Sequence, residues 1–241
     1  MSEVKTSQVL RALQQAGIDV TDRVIEPRAI QKPDGRPREL SAPNAEFMRL
    51  YLAIDALRMQ DRPFVLQFVA ASSGEGTSTI AAQFARTAAF ERKRPVLLVD
   101  CSDCGGERAL PGLIEACRES RSLLELTEST NQFGYRNLRL SESRYPMLQL
   151  DAGEFQQAMG RVRNEFPITV LDCAAIGRDP QSAALGRFCD GTVLVVCAEA
   201  ALPHEAQKAR DDIARHGGQL LGVVFNRWRS YIPEALSKYL G

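Results

Sequence analysis

Residues 64–79 constrain the fold more than any other stretch of the chain. An apolar run, Phe64–Ala70, passes into Ala71-Ser72-Ser73-Gly74-Glu75-Gly76-Thr77-Ser78-Thr79, and a helical pattern follows over 78–91. A strand joined to a helix by a Gly/Ser turn is suited to an anion. Glycines let the backbone curl, successive N–H groups form a nest, and the helix N-terminus adds its dipole. A hydroxyl just inside the helix, here Ser78, is placed to hold Mg²⁺ on bound phosphates. The usual loop, G-x-x-x-x-G-K-[ST], carries Lys where this chain has Thr77 and Gly where it has Ala71. That lysine reaches the β- and γ-phosphates. Losing one charge-assisted hydrogen bond costs ~1.5–3 kcal/mol, roughly ten- to a hundredfold in affinity. The chain has only five lysines, and Lys93 falls before the next strand, at the end away from the phosphates.

Two further apolar runs end in a carboxylate: Val96–Asp100 and Ile168–Asp172. In a parallel sheet both aspartates reach the C-terminal edge, beside the loop. There one can order Mg²⁺ or its water and the other can accept a proton. A strand-end Asp can equally cap the following turn. Both aspartates accompanying one Gly-Glu-Gly turn favours the nucleotide site.

The rest of the chain extends the pattern. Strands are predicted at 64–70, 96–100, 138–140, 168–172, 192–197 and 220–225. Helices are predicted at 44–59, 78–91, 107–118, 153–165, 180–188, 203–216 and 233–239. Most strand runs are continuously apolar, as strands buried on both faces require. Strand alternating with helix gives an α/β fold: a doubly wound, mainly parallel sheet with helices on both faces. Residues 119–137 show no clear period and are expected to be loop. Residues 1–42 are read as an N-terminal helical arm (helix over 4–16) and a proline-rich linker, with the main domain at 43–241. The arm is amphipathic and tethered, so it suits docking to a partner as well as packing on the domain.

Thirty basic and thirty acidic residues balance to a formal net charge of zero, which removes any global electrostatic case for nucleic acid. No apolar run approaches the ~18 residues of a membrane span, and the first residues hold no signal-peptide core. A cytoplasmic location is therefore expected, with the six cysteines reduced.

The loop and the two acidic strands together resemble the bacterial tyrosine kinases of capsule and exopolysaccharide synthesis, within the wider group of ParA/MinD-type P-loop ATPases. Gly74, Glu75, Gly76, Ser78 and Thr79 match that family's S-x-x-P-G-E-G-K-S-T, while Ser73 and Thr77 replace its Pro and Lys. Asp100 matches the second acidic strand (Walker A′) and Asp172 matches Walker B, where Cys173-Ala174-Ala175 replaces T-P-P. The closing strands Asp190–Val196 and Leu221–Asn226 match well. The resemblance implies ATP and Mg²⁺ as cofactors. It places Gly74, Glu75, Gly76, Thr77, Ser78 and Thr79 around the phosphates and Asn226 at the base. Ser78, Asp100 and Asp172 fall at the metal, the two aspartates also being catalytic. It implies a membrane-embedded partner, a polysaccharide chain-length or co-polymerase protein, that holds the chain peripherally at the inner membrane. It also implies homo-oligomerisation through a helix in which Glu46 and Arg49 match and Leu52 stands for an Arg. The family's tail is a tyrosine cluster; here Tyr231 and Tyr239 are the nearest counterparts. With Thr77 in the lysine's place, kinase activity is expected to be weak or absent. A competent autokinase and a scaffold without nucleotide are the other two readings.

Cys101-Ser-Asp-Cys104, with Cys173 nearby, has thiols enough for zinc or redox sensing. Small residues at tight strand ends explain them more simply. His204 and His216 read as surface positions, with His216-Gly217-Gly218 a helix C-terminus. Trp228 suits either a contact point or a cover for the core edge.

Overall fold

A computed structural model describes residues 43–58, 62–101, 109–119, 121–129, 135–138, 152–198 and 202–227. The predicted arm, the helix at 233–239, Cys104, Trp228, Tyr231 and Tyr239 lie outside the described residues. Seven helices and seven strands are described: α1 (Ala45–Asp55), β1 (Phe64–Ala70), α2 (Thr77–Arg92), β2 (Val96–Cys101), α3 (Ala109–Arg118), α4 (Leu123–Leu126), β3 (Thr127–Ser129), β4 (Arg136–Leu138), α5 (Ala152–Glu165), β5 (Ile168–Cys173), α6 (Gln181–Leu185), β6 (Gly191–Cys197), α7 (Pro203–Arg215) and β7 (Leu220–Asn226).

The strands form one sheet in the order β3-β4-β2-β5-β1-β6-β7. Every neighbouring pair is parallel except β3–β4. This is the predicted doubly wound architecture. β1 sits between β5 and β6, so its carboxyl end opens at the middle of the sheet, where ligands of such folds bind.

Alternation along the strands divides the core. On one face Leu66 and Phe68 of β1 meet Phe47, Leu50, Tyr51 and Ile54 of α1 and Ile80 and Phe84 of α2. Phe68 and Phe84 pack with ring centroids 5.3 Å apart. On the other face Val65 and Val69 join Phe155, Met159 and Val162 of α5 and Ile213 of α7. Gln67 points to this second face although it lies mid-strand. Its amide is satisfied there: it donates to Ser182 O (2.6 Å), and its oxygen accepts from the Thr192 hydroxyl (2.9 Å).

Asn44 begins α1 by accepting from Glu46 N at 3.0 Å, the cap its side chain suggests. α7 ends at His216, followed by Gly217 with φ +81°.

Three expectations need correction. Residues 119–137 are not all loop: they contain α4, β3 and the first residues of β4. The strand expected at 138–140 begins earlier, at Arg136, and is described as far as Leu138, residues 139–140 lying outside the described residues. Three-residue strands are fixed by pairing with their neighbours, here β4 with β2 and β3 with β4, and leave little periodicity to read. The helix expected over 180–188 is α6 followed by a 3₁₀ turn, Gly186–Phe188. A Cβ at Gly186 would stand 3.0 Å from Gln67 Oε1 and 3.1 Å from Thr192 Oγ1. The chain thus presses against the buried polar cluster where the helix tightens.

Candidate functional site: a pocket at the carboxyl edge of the sheet

The turn after β1 runs from Ala71 to Gly76, and α2 starts at Thr77. Gly74 and Gly76 lie at φ +84° and +90°, where side chains are disfavoured. Gly76 is further constrained by contact: a Cβ there would sit 2.1 Å from Asn226 Nδ2. The turn wraps a pocket of about 300 Å³, lined by Ser72–Gly74 and Gly76–Thr79 on one side and Cys173–Ala175, Arg178 and Arg227 on the others.

Glu75 turns inward and is buried. Its carboxylate accepts from Ser72 N (2.9 Å) and Cys197 N (3.3 Å), tying the turn to the end of β6. Burial pushes its carboxyl above the ordinary range, against those hydrogen bonds. Asn226, buried at the end of β7, donates from Nδ2 to Glu75 O at 2.8 Å, and its Oδ1 accepts from Arg227 N at 2.9 Å. Two predicted ligand residues, Glu75 and Asn226, therefore hold the turn in shape from behind. Gly74, Gly76, Thr77, Ser78 and Thr79 face the pocket.

The two aspartates stand side by side, since Asp100 of β2 and Asp172 of β5 are register partners. Asp100 is exposed and Asp172 is 5% exposed. Burial raises the Asp172 carboxyl; the Ser78 hydrogen bond opposes it and the Asp100 charge adds to it, leaving the pKa at about 7. Asp172 Oδ1 is buried and, among the described residues, has no hydrogen-bond partner. A buried carboxylate oxygen without a donor, a hydroxyl bonded to the same carboxylate and a second carboxylate alongside are a fitting oxygen set for Mg²⁺. That ion commonly takes one or two carboxylates and completes its shell with phosphate and water.

Cys101 and Cys173 are also register partners, just beyond the aspartates. The Cys101 thiol is held well above its usual pKa by its hydrogen bond with Cys173 and by burial, so it stays a thiol. Among the described residues no three His, Cys, Asp or Glu side chains gather as a metal site.

Sequence reasoning sought a substitute cation within the chain among its lysines, allowing an arginine only from a neighbouring subunit, and so missed Arg178 and Arg227 as pocket residues. Lys93 caps the far end of α2, at the opposite edge of the sheet. Arg178 lies six positions beyond Asp172, and Arg227 directly follows Asn226 with φ +57°. Their adjacency to the two motif residues is the signal that could have found them.

No protein-family model matches the chain. It is 25% identical over 180 residues to the tyrosine-protein kinase CpsD of Streptococcus pneumoniae, covering 69% of this chain and 77% of that one. CpsD of Streptococcus agalactiae is 26% identical over 94 residues, and the match spans 39% of that protein. The chain is homologous to the CpsD tyrosine kinases. Its fold is that of the kinase domain of Escherichia coli tyrosine kinase ETK, with a TM-score of 0.71 at 14% identity over 92% of this chain and 94% of that one. The septum site-determining protein MinD of Pyrococcus horikoshii, complexed with Mg-ADP, shares the fold at TM-score 0.50 and 19% identity, over 74% and 77% of the two chains. No described helix is long and apolar enough to cross a membrane.

Proposed function

We propose that this chain is an ATP-binding module of capsule or exopolysaccharide synthesis, related to the tyrosine kinases but weak or inactive as a kinase. In this reading it governs polymer chain length or export by binding a membrane-embedded co-polymerase, which holds it peripherally at the inner membrane. The observation that carries the nucleotide part is the Ser78–Asp172–Asp100 cluster beside the glycine turn, with Asp172 Oδ1 buried and without a donor among the described residues.

Bound Mg-ATP would supply a triphosphate whose charge the turn, the α2 N-terminus and the ion share. The backbone N–H groups of 74–79 cradle the phosphates. Ser78, Asp172 and Asp100 would hold the ion, while Asn226, bonded to Glu75 O, braces the turn from behind. Thr77 brings a methyl and a hydroxyl where a lysine would bring a charge. Removal of one transition-state donor typically costs ~10²–10³ in rate, far more than binding loses. Nucleotide binding therefore survives a change that phosphoryl transfer does not.

Calorimetric titration of Mg-ATP into the purified full chain tests this. Micromolar binding, abolished by Asp172→Ala, supports it. No heat at millimolar Mg-ATP overturns it and leaves a scaffold without nucleotide. In the host, Asp100→Ala and Asp172→Ala should alter polymer length or output at unchanged protein level. Unchanged polymer would remove the regulatory part.

A further inference from the structure

We infer that Arg178 supplies from within the chain the phosphate-binding cation that position 77 lacks. The inference rests on the nucleotide reading above and adds the residue that makes it workable. Arg178 forms part of the pocket wall across from the glycine turn. Its position relative to that turn is fixed by the backbone. Ile176 N donates to Ala70 O at 2.9 Å and Gly177 N to Ala71 O at 3.0 Å, which lashes the segment after β5 to the first residues of the turn. Gly177 eases the approach, because a Cβ there would stand a tight 3.0 Å from Ala71 O. The next residues close a tight turn, with Arg178 N and Asp179 N both donating to Ala175 O at 2.9 Å. Asp179 then accepts from Gln181 N at 3.0 Å as α6 begins. The arginine thus stands on a braced turn next to the site.

The chemistry fits the gap. A guanidinium keeps its charge at any pH the protein meets, and its planar fork can grip phosphate oxygens in pairs. A lysine at position 77 would approach the β- and γ-phosphates from the helix side; Arg178 approaches from the β5 side. Charge, rather than the direction it comes from, governs ground-state affinity. The geometry of transfer depends on direction as well, so the substitution preserves binding better than catalysis. Arg178 is exposed, and its replacement leaves the core untouched.

The test is a set of calorimetric titrations of Mg-ATP into the full chain: wild type, Arg178→Ala, Arg178→Lys, and Arg178→Ala combined with Thr77→Lys. Arg178→Ala should weaken Mg-ATP ten- to a hundredfold. Arg178→Lys should recover part of the loss, and Thr77→Lys in the Arg178→Ala background at least tenfold. Wild-type binding with Arg178→Ala within twofold of it would overturn this inference and leave the nucleotide reading standing. A loss that Thr77→Lys does not recover would also overturn it, since it would then be structural. No wild-type binding at millimolar Mg-ATP would overturn both.

Discussion

The two edges of the sheet use the same residue types to opposite effect. At the amino edge Asp55 and Asp190 are given arginines. Asp55 bonds Arg58 at 2.9 Å and Arg92 at 2.5 Å, and Arg92 also donates to the Tyr51 hydroxyl at 2.9 Å. Asp190 accepts from Val65 N at 2.7 Å and pairs with Arg163 at 3.1 Å. Burial would raise the Asp55 carboxyl, but Arg92 and Arg58 outweigh it and hold it below the ordinary value. At the carboxyl edge Asp172 is placed beside Asp100 and buried, and its pKa rises to about 7. One edge closes the fold with satisfied ion pairs. The other keeps Asp172 buried beside Asp100, a strain that protonation or an added cation relieves. Perturbed carboxylates of that kind gather where proteins bind and react.

The comparison can be tested, starting with the largest expected effect. Gly76→Ala forces a Cβ onto Asn226 and holds a side chain at φ +90°. A loss of about 3 kcal/mol in denaturant unfolding is expected, along with loss of Mg-ATP binding. An unchanged midpoint would show that the turn is loosely held.

Asp172→Asn should stabilise the protein. The folded-state pKa near 7 lies above the unfolded value of 3.8, so wild-type stability falls as pH rises between them. The variant should therefore gain about 2–4 kcal/mol at pH 8, about 0.5 kcal/mol at pH 4 and almost nothing at pH 3 in metal-free buffer. Equal midpoints at pH 8 would contradict the strained pair.

Asp55→Asn should act the other way and more weakly. The lowered pKa means that stability is present at neutral pH and is lost as pH falls through the carboxylate range. A cost of about 1 kcal/mol at pH 7, vanishing near pH 2, is expected in thermal melts. A cost that persists at low pH would point to packing rather than charge.

How much of this could be read beforehand depended on the kind of signal. β1, β2, β5, β6 and β7 were legible because strands buried on both faces must be continuously apolar; β1 keeps its expected bounds and each of the other four gains one residue at one end. β3 and β4 were not, because three-residue strands are defined by what they pair with. Asp100 and Asp172 were legible as strand ends, and the register places them side by side. That Glu75 and Asn226 bond to the turn itself was not legible, since they lie 151 positions apart in the chain and meet only when β7 is laid down. Arg178 was hidden for a simpler reason: an arginine in a turn after a strand has no periodicity, and only the lashing of Ile176 and Gly177 to Ala70 and Ala71 brings it to the pocket.

The brace behind the glycine turn bears on how such a chain can change over generations. Glu75 and Asn226 fix the curvature from the side remote from the opening, through bonds to β6 and β7. Of the side chains in front, Ser72 adds a tie through its hydroxyl to Glu205 (2.9 Å), while Ser73 and Thr77 carry none of that duty. Positions 73 and 77 can therefore drift to Ser and Thr while the cradle keeps its form. A binding site built this way can lose its most familiar residue first and its shape last.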